Sequence, residues 1–125
     1  MPHNILIIDD EEDIRAVAAL SLETVAGWEV ATANSGAQGL ARAESLQPEA
    51  ILLDVMMPGM DGRATFAALQ KNPKTAAIPV VLLTAKTQSS ERDQLAAMGV
   101  AGLLTKPFDP LTLPGEIAAI LGWKI

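Results

Sequence analysis

The chain has 125 residues, half of them hydrophobic, and carries nine Lys or Arg against fifteen Asp or Glu, for a net charge of −6. This length suits one domain with a real apolar core, and so hydrophobic a composition argues against disorder. The lack of cysteine excludes disulfides and cysteine-ligated zinc or iron–sulfur sites, the single histidine (His3, near an N-terminus expected to be mobile) excludes a histidine metal cluster or triad, and the acidity argues against direct contact with nucleic acid.

Ile5-Leu6-Ile7-Ile8 is an apolar run that ends at Asp9-Asp10. Residues Glu11 to Val25 follow with Ile14, Val17, Ala18, Leu22 and Val25 at helical spacing, and Gly27 stops that helix. Trp28 to Ala33 reads as a short strand. Ser35-Gly36-Ala37-Gln38 is a capping box that opens a helix running to about Leu46, where Gln47-Pro48 breaks it. Ala50 to Leu53 is a third strand ending at Asp54. Pro58 to Gly62 is turn chemistry, and Asp61 caps a helix containing Phe66 and Leu69 that ends at Asn72-Pro73. Val80 to Leu83, continuously apolar and so central, runs into Thr84. Ser89 or Ser90 opens a short helix ending near Gly99. Ala101 to Leu104 is the fifth strand and leads through Thr105 to Lys106-Pro107. The last helix spans Pro110 to Leu121, with Pro110 or Pro114 near its first turn.

This alternation predicts an α/β fold, a (βα)5 doubly wound parallel sheet of five strands. Right-handed crossovers and the common small arrangement give strand order 2-1-3-4-5, with the site where strands 1 and 3 diverge. Asp9, Asp10 and Asp54 then meet at the switch point, with Thr84 and Lys106 on neighbouring strands.

Taken singly, each of these residues has a plainer reading. Asp9 or Asp10 could cap the next helix, Thr84 could be a β-branched residue closing a strand, and Lys106 could be a solvated side chain. Asp54 resists the capping reading because no helix follows it directly. Together, three carboxylates, a hydroxyl and an ammonium suit Mg²⁺ and a phosphoryl group. Crowded acids repel, and a divalent cation relieves that repulsion. Asp54 is the best candidate nucleophile, since Asp9 and Asp10 form a natural metal-side pair and a carboxylate is already ionised near neutral pH.

The segments Ile7-Ile8-Asp9-Asp10-Glu11, Leu52-Leu53-Asp54-Val55-Met56-Met57-Pro58-Gly59-Met60-Asp61-Gly62, Leu83-Thr84-Ala85 and Thr105-Lys106-Pro107-Phe108 resemble those of response-regulator receiver domains, the CheY-like phosphoacceptor modules of two-component signalling. The resemblance covers essentially the whole chain and implies a flavodoxin-like fold. It implies that Asp54 is phosphorylated by a sensor histidine kinase or histidine phosphotransfer protein. It also implies that Asp10 ligates Mg²⁺ directly with Asp9 close by, and that Asp54 and the backbone carbonyl of Met56 complete the protein ligands. Lys106 would contact the phosphoryl group, Thr84 would move towards it, the Lys106–Pro107 peptide would be cis, and Pro58 and Gly59 would shape the loop after Asp54. The chain departs from the pattern at Leu103, where many receivers carry an aromatic switch residue. Met56 and Lys86 occupy positions that tune hydrolysis in the family. A thioether orients water poorly, so a long-lived phosphorylated state is expected.

An aspartate-based phosphatase of the haloacid-dehalogenase type would need an acid two residues after the nucleophile, where Met56 stands. A flavin carrier would need a Ser/Thr/Gly-rich phosphate loop after the first strand, and no G-x-G-x-x-G fingerprint supports a dinucleotide. The expectation is therefore a single receiver domain over residues 1–125, without an output domain. It is not an enzyme acting on an external substrate, although it catalyses its own phosphorylation and dephosphorylation. No apolar stretch spans a membrane and the N-terminus does not read as a signal peptide, so a cytoplasmic protein acting through a downstream protein target is expected.

Overall fold

The computed structural model describes residues 2–85 and 89–124. Among these residues the apolar runs form β1 (Asn4–Ile8), β2 (Glu29–Ala33), β3 (Ala50–Asp54), β4 (Val80–Thr84) and β5 (Gly102–Thr105). The helices between and after them are α1 (Glu12–Val25), α2 (Gly36–Leu46), α3 (Gly62–Lys71), α4 (Ser89–Ala96) and α5 (Leu113–Leu121). All strands pair in parallel in the order β2-β1-β3-β4-β5, as the alternation predicts.

Successive strand residues point to opposite faces, so the same runs build two cores. Leu6, Ile8, Ile51, Leu53 and Leu82 pack with Phe66, Leu69 and Leu95 from α3 and α4. Ile5, Ile7, Leu52, Val81 and Leu83 pack with Leu22, Leu113 and Ile117 from α1 and α5. β3 and β4 are buried throughout, because both faces are covered. No helix among the described residues is long and apolar enough to cross a membrane.

Local chemistry explains several element ends. Ser35 Oγ accepts from the Gln38 amide at 3.1 Å, and Gln38 Oε1 reaches back to the Asn34 amide at 2.7 Å, one residue earlier than a capping box requires. Asp61 Oδ1 accepts from the Ala64 amide at 2.9 Å and caps α3. Two boundaries differ from expectation by more than one residue. α5 starts at Leu113 and not at Pro110, because Asp109 captures the Leu111 amide at 2.8 Å and makes a separate turn first. Pro114 stands in the first turn of α5, as expected of one of the two prolines. α4 ends at Ala96 and the chain turns to Gly99, whose φ of +96° suits glycine.

His3 also departs from expectation. It is tied down, not loose: its ring stacks on Trp123 with centroids 3.9 Å apart, meets Trp28 edge-on at 6.1 Å, and places Nδ1 2.9 Å from Glu49 Oε2. Trp28 and Trp123 are themselves edge to face at 5.1 Å. This cluster sits at the N-terminal ends of the strands, the pole opposite the acidic residues.

Candidate metal and phosphoacceptor site

The strand register places the site. Ile8 pairs with Leu53, Asp54 with Leu83, and Thr84 with Thr105, so Asp9, Asp54, Thr84 and Lys106 emerge along one edge of the sheet. Lys106 Nζ lies 3.0 Å from Asp54 Oδ1, 3.3 Å from Asp9 Oδ2 and 3.5 Å from Glu11 Oε1. Its amide donates to the Thr84 carbonyl at 2.8 Å, and the Lys106–Pro107 peptide is cis. Thr84 is fully buried.

The loop after β3 is folded tightly onto the site. The Met56 amide approaches Asp54 Oδ1 at 3.4 Å, and the Gly62 amide donates to the Val55 carbonyl at 2.9 Å. A side chain at Gly62 would put its Cβ 2.4 Å from the Asp54 carbonyl oxygen, so only glycine lets α3 begin this close to the phosphoacceptor candidate. Asp9 is held at three points. Its amide donates to Ala33 O at 3.1 Å, its Oδ1 accepts from the Glu11 amide at 2.9 Å, and its carbonyl accepts from Arg15 at 2.8 Å. Asp9 thus does bond a backbone amide before α1, yet its other oxygen stays in the cluster.

Asp9 and Asp54 are 1 % and 2 % exposed, which sets the electrostatics. Burial, opposed by Lys106 and reinforced by the charge of Asp9, pushes Asp54 up to about 6. Burial likewise raises Asp9 against the Glu11 amide and Lys106. Burial acts to lower Lys106, but its hydrogen bond and ion pair with Asp54, backed by Asp9, outweigh that and raise it. The ammonium is therefore held charged, while one cation cannot offset the desolvation and mutual repulsion of two buried carboxylates.

Carboxylate oxygens of Asp9, Asp10, Glu11 and Asp54 lie within 4.8 Å of one another. Among the described residues, nothing donates a hydrogen bond to the buried Asp54 Oδ2, nor to Asp9 Oδ2 although it faces Lys106. Orphaned buried carboxylate oxygens are costly and call for a cation. An all-oxygen donor set with excess negative charge fits Mg²⁺.

The fold brings every expected site residue of the described chain to this edge except Leu103, the residue at the switch position. Leu103 is partly buried on the α3/α4 side, paired with Leu82, and lines a cavity of about 360 Å³ with Arg92, Asp93 and Ala96. Met56 is 60 % exposed beside Asp54. Lys86 lies outside the described residues. Glu11 and Arg15 also reach this edge, beyond the residues expected there. Glu11 was signalled by its place after Asp9-Asp10, but nothing in the sequence marks Arg15 as reaching back to the strand end.

A family model described as the response regulator receiver domain matches residues 5–118. The DNA-binding dual master transcriptional regulator RpaA of Synechocystis is 40% identical over 94% of this chain and 48% of its own length. PleD of Caulobacter vibrioides is 40% identical over 100% of this chain and 27% of its own length. The chain thus spans half or less of these two curated relatives, whereas Pseudomonas aeruginosa PilH, 36% identical, is covered over 96%. Among solved structures, Vibrio cholerae CheY4 superposes with a TM-score of 0.88 at 32% identity, over 96% of this chain and 99% of that one. Family model, relatives and geometry agree, and the chain belongs to the response regulator receiver family.

Proposed function

We propose that Asp54 is the phosphoacceptor of this receiver, that Asp9, Asp10, Asp54 and the Met56 carbonyl hold Mg²⁺, and that Thr84 and Lys106 bind the phosphoryl group. The observation that carries this reading is the division of labour on one carboxylate. Asp54 Oδ1 is engaged by Lys106 at 3.0 Å, while Oδ2 is buried among the acids with no hydrogen bond from any described residue. When bound, Mg²⁺ would neutralise negative charge on the acids and on the transferred group.

The protein's own part is positioning and charge. An Asp54 oxygen forms the new P–O bond as the P–N bond of a phosphohistidine breaks, and the electron pair leaves with the imidazole nitrogen. Lys106, held charged, offsets the charge developing on the phosphoryl oxygens. The Thr84 hydroxyl, at the end of the adjacent strand, would bond a phosphoryl oxygen on Asp54. Phosphorylation adds charge between Thr84 and Lys106, and β5 carries that change to Leu103 and the α4–β5–α5 face, altering binding to a downstream protein. Hydrolysis of the phosphoaspartate by water returns the domain to its starting state.

The partners are a sensor histidine kinase or phosphotransfer protein upstream and a protein target downstream, in the cytoplasm. Nucleic acid is not a direct partner of this acidic domain. Incubation with Mg²⁺ and a small acyl phosphate tests the assignment. Intact mass should rise by one phosphoryl group in the wild type and not in Asp54→Asn. A wild type that takes no phosphoryl group from any donor or kinase removes the mechanism.

A further inference from the structure

Asp9 and Asp10 are joined by a peptide whose carbonyl accepts a hydrogen bond from the guanidinium of Arg15 at 2.8 Å. Arg15 is half-buried in α1, and its amide bonds the Glu11 carbonyl at 3.0 Å, closing the first turn of the helix. Its side chain therefore stands over the turn that leads from β1 into α1. We infer that Arg15 is a positioning residue for the metal pair, locking the Asp9–Asp10 peptide so that both carboxylates converge on Asp54.

The geometry of the turn supports this. Asp9 is already fixed by its amide on Ala33 and by its carboxylate on the Glu11 amide. The rotation left is that of the Asp9–Asp10 peptide plane, which aims Asp10. Bonding its carbonyl from outside removes that freedom. Arg15 also brings a second cation to an edge where, among the described residues, Asp9, Glu11 and Asp54 share Lys106. A guanidinium suits this place because it is always charged and presents its donors in a rigid plane. Groups that orient metal ligands typically contribute 10–100-fold in affinity.

This inference rests on the metal assignment above, and direct titration separates the two. Isothermal titration of the full chain with MgCl₂ at pH 7.5 should show Arg15→Met binding about tenfold more weakly than wild type. Arg15→Lys, which can still donate to the Asp9 carbonyl, should fall within about threefold of wild type and so rescue most of the loss. Urea melts in EDTA check that all variants fold. In acyl-phosphate labelling, the half-saturating Mg²⁺ concentration of Arg15→Met should move by the same factor. Arg15→Met binding Mg²⁺ within twofold of a wild type that binds would overturn the role of Arg15 alone. Arg15→Lys as weak as Arg15→Met would also overturn it. A wild type that binds no Mg²⁺ would remove the metal site and this inference together. If Arg15→Met does not fold, Arg15→Gln, a shorter donor without the charge, takes its place and should lie between Arg15→Lys and the expected tenfold loss.

Discussion

Replacing Asp54 by Asn should stabilise the metal-free protein, and by an amount that depends on pH. Asp54 titrates at about 6 in the folded chain against an ordinary value of 3.8. For an acid raised in this way, the folded-state advantage is complete below about 3.8 and lost as pH rises through about 6. That rise corresponds to about 3 kcal/mol at pH 7.5, and to well under about 1 kcal/mol at pH 4.0. Asn keeps the shape without the buried charge, and the favourable pairing with Lys106 is already contained in the shifted value. Urea unfolding in EDTA should therefore find Asp54→Asn more stable by about 3 kcal/mol at pH 7.5, or roughly 10 °C in melting temperature for a chain of this size. The gap should nearly close at pH 4.0. Equal effects at the two pH values, or a less stable variant at pH 7.5, would refute the claim that burying the Asp54 charge costs the metal-free protein stability.

Three further outcomes follow from the same geometry. Mg²⁺ at a hundred times its dissociation constant should stabilise the wild type by about 2.7 kcal/mol in thermal melts, and Asp54→Asn by clearly less. Lys106→Met should leave Asp9 and Asp54 without their shared cation. At pH 7.5 without metal it should lose about 3 kcal/mol in urea unfolding and recover most of that at pH 4.0, where Asp54 is protonated. Gly62→Ala should cost about 1–3 kcal/mol, because its Cβ meets backbone at Asp54 and Val55, which cannot rotate away. Its acyl-phosphate labelling should slow as the Asp54 loop shifts.

The strand ends were legible in the sequence because each polar residue follows an unbroken apolar run. A buried parallel strand must release its first polar side chain where the core stops. That one rule located Asp9, Asp54, Thr84 and, through Thr105, Lys106. Capping residues were legible for a similar local reason, as at Ser35 and Asp61. Arg15 was not, since a half-buried arginine on a helix looks like any surface cation until the backbone turns it towards Asp9. The start of α5 was misplaced because the side chain of Asp109 competes for the Leu111 amide, which a proline-based rule does not weigh. The clasp of His3 was hidden because Trp28 and Trp123 reach it only through the winding of the sheet.

That clasp has a practical consequence. Both tryptophans of the chain sit in it, and tyrosine is absent. All emission excited at 295 nm therefore originates at the pole opposite Asp54, beside an imidazole ring that stacks on one indole. Occupancy of the acidic edge has no fluorophore within direct reach. A change in that emission when metal binds or a phosphoryl group arrives would report motion carried across the sheet to the far ends of α5 and β1.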